Sequence, residues 1–219
     1  DEFLAMERHR LHNANNLSVF VIVGLFGLSL IIMLSNHVTM QKWEKLATEE
    51  RDKARNAALT DPLTGVKSKH AFLLKQKQID ASIEEGEADE FAVAVCDLNG
   101  LKYINDTLGH KAGDEYIFKA SRIICEIFRH SPVYRVGGDE FVAVLQGQDY
   151  LSRKDLLQAL HDRSVEHIST NDVVISGGLS EYQPGSDNSL HDAFERADAL
   201  MYEEKKLLKS MGAITREDT

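Results

Sequence analysis

The chain is poor in the features that staple or mark out many small domains. Its 219 residues hold two cysteines, Cys96 and Cys125. Neither belongs to a C-x-x-C pair, which argues against a disulfide framework or a multi-cysteine zinc site. Cys96 lies in an apolar run and Cys125 in a helical pattern, so both are expected to be buried reduced thiols. A disulfide or a metal site is the alternative. Positive charge is scarce: 25 Lys and Arg face 35 Asp and Glu, a formal net charge of −10. Such a surface repels phosphate backbones, so nucleic acid is not expected as a partner. A small nucleotide needs only a local cationic pocket and metal ions, and stays open. No G-x-x-x-x-G-K-(S/T) occurs, which disfavours a P-loop NTPase. There is no internal repeat, and the length suits one domain plus an appendage.

Charge is missing altogether from residues 11–41. The centre of that stretch, residues 17–34, reads LSVFVIVGLFGLSLIIML. At ~1.5 Å per residue it is about 27 Å long, close to the hydrocarbon thickness of a bilayer. A helix apolar on every side is buried only in a protein larger than this one. No small-residue cleavage site follows Leu34, which argues against a signal peptide. A transmembrane helix over residues 17–37 is therefore expected, after a short N-terminal segment (1–16) open to being the remnant of a longer region. Arg8 and Arg10 precede the span, and Lys42, Lys45, Arg51 and Lys53 follow it. That balance places the C-terminal side in the cytoplasm.

Residues 38–59 contain neither Gly nor Pro and predict one charged helix. Met40, Trp43, Ala47, Glu50, Ala54 and Ala57 recur at spacings of three and four, the pattern of a short dimerising coiled-coil seam, with a solvated linker helix as the alternative. Asp61 precedes Pro62, so helix stops there and a folded domain over residues 60–211 begins, leaving 212–219 as a tail. Ser68 is placed to cap a helix running to about Ile83. Residues 91–96, FAVAVC, predict a strand buried on both faces. Helices are expected at 101–107 and 112–128, short strands at 133–136 and 141–145 joined by a Gly137-Gly138-Asp139-Glu140 turn, a helix at 152–168, a strand at 173–176 and a last helix at 190–209. The order β-α-α-β-β-α-β-α implies an α+β, ferredoxin-like core with a central antiparallel hairpin.

Two acidic positions stand out. Asp97 is expected at the end of a buried strand, and Asp139 with Glu140 in the hairpin turn. A carboxylate at a buried strand end is costly unless it is paired or holds a cation. Neighbouring strands are ~4.8 Å apart, so both acids can converge on one hard ion. Taken singly, each is equally well a capping or turn residue.

Gly137-Gly138-Asp139-Glu140-Phe141 spells GGDEF. Residues 97–114, DLNGLKYINDTLGHKAGD, resemble the D-x-(D/N)-x-(F/L)-K-x-x-N-D-x-x-G-H-x-x-G-D block of the GGDEF diguanylate cyclase family. Asp61-Pro62-Leu63-Thr64-Gly65 resembles its D-x-L-T-G opening, and residues 197–205, ADALMYEEK, its last helix. One five-residue match is weak, but four ordered blocks covering about residues 61–209 are specific. The resemblance implies a palm-type domain that converts two GTP to cyclic di-GMP and two pyrophosphates. It implies two Mg²⁺ per active site, Mn²⁺ being possible, held by the Asp97 and Asp139 side chains and the Leu98 carbonyl. Asp139 would be the base for the ribose 3′-hydroxyl, with Glu140 supporting the metals. Asn105 and Asp114 would read the guanine edge, an Asp being suited to accept from its N1 and N2 donors. His110 would line the nucleotide pocket, Gly137 and Gly138 would admit the α-phosphate, and Lys102 and Lys205 would face the phosphates.

Two departures from the pattern matter. Lys209 stands where the family commonly has Arg. The inhibitory R-x-x-D stretch falls on Phe128-Arg129-His130-Ser131, which lacks the Asp. Because each GTP supplies one hydroxyl and one α-phosphate, the resemblance also implies a homodimer of facing domains. A domain that binds nucleotide without turnover, or a mononucleotide cyclase of similar architecture, are the rival readings. Both sit poorly with an intact signature and a guanine-reading pair.

Overall fold

The computed structural model describes residues 2–214. Asp1, tail residues 215–219 and the side chains of residues 2–5, 9, 11, 12, 14, 17 and 53–56, Lys53 and Ala54 among them, lie outside the described residues. The chain divides into two compact units, Asp1–Ala54 and Arg55–Thr219.

The first unit is helical. Helix α1 (Glu2–Ala58) is uninterrupted, so the N-terminal segment, the apolar stretch and the charged stretch after it are one helix. Ser18–Asp52 within it is long and apolar enough, by length and composition, to cross a membrane. Its apolar side chains are exposed, among them Phe20, Phe26, Ile31 and Met33. Met40 and Trp43 of the proposed seam are exposed as well.

The second unit is a five-stranded sheet between helical layers. Its elements are β1 (Lys67–Ser68), α2 (Lys69–Glu84), β2 (Ala92–Leu98), α3 (Leu101–Leu108), α4 (His110–Ile127), β3 (Val133–Arg135), β4 (Glu140–Leu145), α5 (Gly147–Leu151), α6 (Arg153–Thr170), β5 (Ile175–Glu181) and α7 (Leu190–Ser210). The strand order is β1-β3-β4-β2-β5. Without β1 this is the predicted ferredoxin-like core, with β3–β4, β4–β2 and β2–β5 all antiparallel. The parallel β1–β3 pairing and the short helix α5 were not anticipated.

Central β2 is buried at every position because both faces are covered. Ala92, Ala94, Cys96 and Leu98 pack with Ile117, Ala120 and Ile124 of α4 and Leu160 of α6. Val93 and Val95 pack with Phe72 and Ile79 of α2 and with Leu190, Ala197 and Met201 of α7. Burying each such side chain fully contributes about 1.5–3 kcal/mol. Ser68 caps α2 as expected, accepting from the Ala71 N–H. Both cysteines are free; Cys96 is buried, but Cys125 is only half-buried because α4 turns part of that face to solvent.

Three boundaries need correction. Asp97 does not end its strand: β2 continues to Leu98, since Asp97 is paired on both sides, with Glu140 and with Ser176. Glu140 is not in the hairpin turn but opens β4. The last strand runs from Ile175 to Glu181 rather than over 173–176. Gly177 and Gly178 disguised it, although paired glycines within a strand often mark close backbone approach.

Candidate active site

The site forms where β2 leaves the sheet. Period-two alternation puts Asp97 on the same face as Val93 and Val95, towards α7. What stands over it is set by Gly178. A Cβ there would lie 2.1 Å from the Ala197 carbonyl oxygen and 2.2 Å from the Met201 nitrogen, so α7 rests on bare β5 backbone. Two residues back along β5 is Ser176, the partner of Asp97. That is ~6.6 Å of strand, and one helical turn from Met201 to Lys205 is ~6 Å. The Lys205 ammonium therefore reaches Asp97 and donates a hydrogen bond to Oδ1. His161 Nδ1 lies 2.6 Å from Glu204 Oε1, pinning the neighbouring position of α7 to α6.

Asp97 is 7% exposed. Burial pushes its carboxyl up to about 6; Lys205 opposes the rise, and the charges of Asp139 and Glu140 add to it. Asp139 is fastened alongside, its backbone oxygen accepting from the Leu98 N–H at 3.1 Å. The turn closes through Val136 N–H to Glu140 O at 3.0 Å. The Glu140 side chain lies over Gly137, where a Cβ would be 2.4 Å from Oε2. Arg135 donates through Nη2 to the Gly138 carbonyl at 2.8 Å and through Nη1 to Asp61 Oδ1 at 3.2 Å, joining the Asp61–Gly65 turn to the GGDEF turn.

A second cluster lies on α3 and α4. Asn105 crosses to Gly113, where a Cβ would be only 1.9 Å from its Oδ1, and Asp114 follows on α4. Tyr116 donates to the Asn99 carbonyl at 2.9 Å and accepts from the Val174 N–H at 3.0 Å. Asn99 Oδ1 in turn accepts from Ser176 Oγ at 2.7 Å. This network ties α4 to the ends of β2 and β5.

The structure thus brings Asp97, Leu98, Asp139, Glu140 and Lys205 together around the GGDEF turn, and sets the Asn105 amide against Gly113, the residue before Asp114. Gly137 and Gly138 form that turn, Gly138 at its exposed tip. Lys102 on α3 and His110 at the start of α4 are exposed, and Lys209 lies one turn beyond Lys205. Among the described residues no three His, Cys, Asp or Glu side chains close around one point. The donor chemistry still fits a hard divalent cation: a buried carboxylate with two more carboxylates in electrostatic range. Mg²⁺ is commonly held by one or two carboxylates plus substrate phosphates rather than by an all-protein cage. Arg135, Tyr116, Asn99 and Ser176 escaped sequence reasoning. A cation inside the apolar run VYRV was the available signal, since a half-buried Arg requires an acidic partner.

A sheet of this order, with an acid-bearing hairpin against its central strand, defines a palm-type α+β fold. The profile described as "Diguanylate cyclase, GGDEF domain" matches residues 58–210, and the chain belongs to that family. It is 30% identical over 202 residues to the bifunctional diguanylate cyclase/cyclic di-GMP phosphodiesterase MucR of Pseudomonas aeruginosa, an alignment covering 86% of this chain and 29% of MucR. It is 28% identical over 149 residues to the diguanylate cyclase DgcS of Shewanella oneidensis, covering 68% of this chain and 50% of DgcS. The chain thus spans at most half the length of either relative. The crystal structure of the coiled coil and GGDEF domain of DgcB from Caulobacter crescentus, in complex with c-di-GMP, superposes with a TM-score of 0.64 at 28% identity, covering 81% of this chain and 95% of that one.

Proposed function

We propose that this chain is a membrane-anchored diguanylate cyclase that joins two GTP into cyclic di-GMP. The observation that carries the reading is the GGDEF turn clasped to the end of β2, with Asp139 beside a buried Asp97 and a lysine at hand. The names of DgcS and MucR and the ligand of DgcB support it.

In this reading Asn105 and Asp114 accept from the guanine edge, and His110 lines the same pocket. Lys102, Lys205 and Lys209 face the triphosphate, and the bare backbone of Gly137 and Gly138 lets the α-phosphate approach. Asp97, Asp139 and the Leu98 carbonyl would hold two divalent cations, Mg²⁺ first and Mn²⁺ as an alternative, with Glu140 in support. Bound there, the cations neutralise the triphosphate and favour ionisation of the 3′-hydroxyl. Asp139 takes that proton; the 3′-oxygen bonds to the partner's α-phosphorus, and the bond to pyrophosphate breaks. The same step in the other direction closes the ring, so two domains must face each other as a homodimer. Residues 17–37 would cross the membrane with the 60–211 domain in the cytoplasm, and 38–59 would set the facing geometry. With Ser131 where the inhibitory Asp would stand, no product inhibition operates through that stretch.

The test incubates the full chain in lipid nanodiscs with GTP and Mg²⁺ and separates the nucleotides by chromatography, with Asp139→Ala beside it. Cyclic di-GMP from the wild type alone is expected. Mg²⁺-dependent GTP binding without product would replace the cyclase reading with a nucleotide-binding module, with Lys209 the first residue to revert to Arg.

A further inference from the structure

The Lys205–Asp97 contact joins two residues that the proposed reading gives to different partners, one to phosphate and the other to metal. Asp97 is nearly inaccessible, and the Lys205 side chain keeps 26% of its exposure. Helix α7 cannot slide to separate them, because it rests on the Gly178 backbone and is pinned by Glu204 to His161. Only the flexible stem of Lys205 can move its ammonium elsewhere.

We infer that Lys205 is the internal counter-cation of Asp97, so that the chain takes up its divalent cation together with the nucleotide triphosphate rather than ahead of it. This rests on the metal-dependent reading above. The Lys205 ammonium is in contact with Asp97, and the charges of Asp139 and Glu140 are in electrostatic range of the same carboxylate. A dication reaching the bonded Asp97 oxygen displaces the ammonium and leaves two cations side by side in a partly desolvated site, which is unfavourable. A triphosphate gives the displaced ammonium a new acceptor, and the penalty disappears. Free cation and Lys205 therefore compete, whereas cation plus triphosphate and Lys205 cooperate. By linkage the coupling is reciprocal: nucleotide strengthens cation binding by the factor by which cation strengthens nucleotide binding.

The experiment titrates Mn²⁺ into the full chain in detergent micelles, reading free Mn²⁺ by electron paramagnetic resonance, with and without a non-hydrolysable GTP analogue. Lys205→Met removes the charge and keeps the stem; Lys205→Gln is a second neutral variant, and circular dichroism selects whichever is folded. Without nucleotide the neutral variant should bind Mn²⁺ roughly 5- to 10-fold tighter than wild type, the size of an ordinary coupling between sites. Adding Asp97→Asn should abolish that gain. With the analogue present that gain should disappear. Equal or weaker Mn²⁺ binding by the neutral variant without nucleotide overturns the inference, as does a gain that survives Asp97→Asn. The proposed function fails separately: a Mn²⁺ shift as expected in a protein that makes no cyclic di-GMP sinks the cyclase reading alone.

Discussion

Arg135 and Asp61 are 74 residues apart in sequence, yet the guanidinium lies 3.2 Å from the carboxylate, and both side chains are mostly buried. The same guanidinium holds the Gly138 carbonyl. The turn that follows α1 and the turn that carries Asp139 are thus fastened by one side chain. Burial by itself would raise the Asp61 carboxyl, but hydrogen bonds from the Thr64 side chain and backbone, with the charge and hydrogen bond of Arg135, outweigh it and hold the carboxyl below its ordinary value. A depressed carboxyl stabilises the fold above its unfolded pKa of about 3.9, and that stability is lost as pH falls through the folded value. Asp61→Asn should therefore cost about 1–3 kcal/mol at pH 7, in the range for hydrogen bonds to charged groups, and progressively less as pH falls below the ordinary carboxylate range. Thermal melts of both proteins across that pH range check it; a gap of constant size at every pH would refute the account.

Gly177 and Gly178 make a paired prediction. At Gly178 an added methyl meets helix backbone at 2.1 Å, which cannot give way without lifting α7. At Gly177 it meets the Leu160 Cδ2 at 2.6 Å, the far end of a flexible side chain. Gly178→Ala should lower stability by more than about 3 kcal/mol and remove activity, with Gly177→Ala costing about 1–2 kcal/mol. Chemical denaturation of the two variants measures the difference, and equal costs would mean that α7 does not rest on Gly178.

How much of this was legible beforehand follows from the range of each signal. The buried run FAVAVC, the Ser68 cap and the GGDEF hairpin are local patterns, and the core they predict is the core that forms. Strand β5 was misplaced because a strand carrying Gly177 and Gly178 lacks the β-branched density that marks one. The fate of Asp97 was half visible: a buried acid needs a partner, but which cation supplies it depends on how α7 lies across β5. Arg135 and Tyr116 act over 74 and 58 residues respectively. No periodicity reaches that far, so only the fold could connect them.

Gly113 is explained by its neighbour. The Asn105 amide occupies the space a side chain would need, 1.9 Å from a Cβ at that position. Gly113→Ala must push Asn105 aside while leaving α4 with a better helix former. Stability should change by less than about 1 kcal/mol, whereas the KM for GTP should rise roughly tenfold as the proposed guanine reader is displaced. Steady-state kinetics beside a thermal melt separate the two effects. An unchanged KM would show that Asn105 does not read the base.

Tyr116 offers the finest test of how the two halves of the site are held together. Its hydroxyl bridges the Asn99 carbonyl and the Val174 N–H, and burial raises the phenol above its ordinary range. It stands two residues after Asp114 on α4, so it fixes that helix to the strand ends flanking Asp97. Tyr116→Phe keeps the ring and removes both bonds, leaving the Val174 donor and the Asn99 acceptor without that partner, at a cost of about 1–3 kcal/mol. The Asp97–Lys205 pair lies on the other face of the sheet and should be undisturbed. Turnover should therefore hold within about twofold while KM for GTP rises roughly 3- to 10-fold. A purely structural tyrosine would weaken all nucleotides alike. A positioning tyrosine should instead narrow the preference for GTP over inosine triphosphate, which lacks the N2 donor, because Asp114 is no longer aimed at it. Competition between the two nucleotides at equal concentration reads this directly, and an unaltered preference would place Tyr116 among the ordinary supports of the fold.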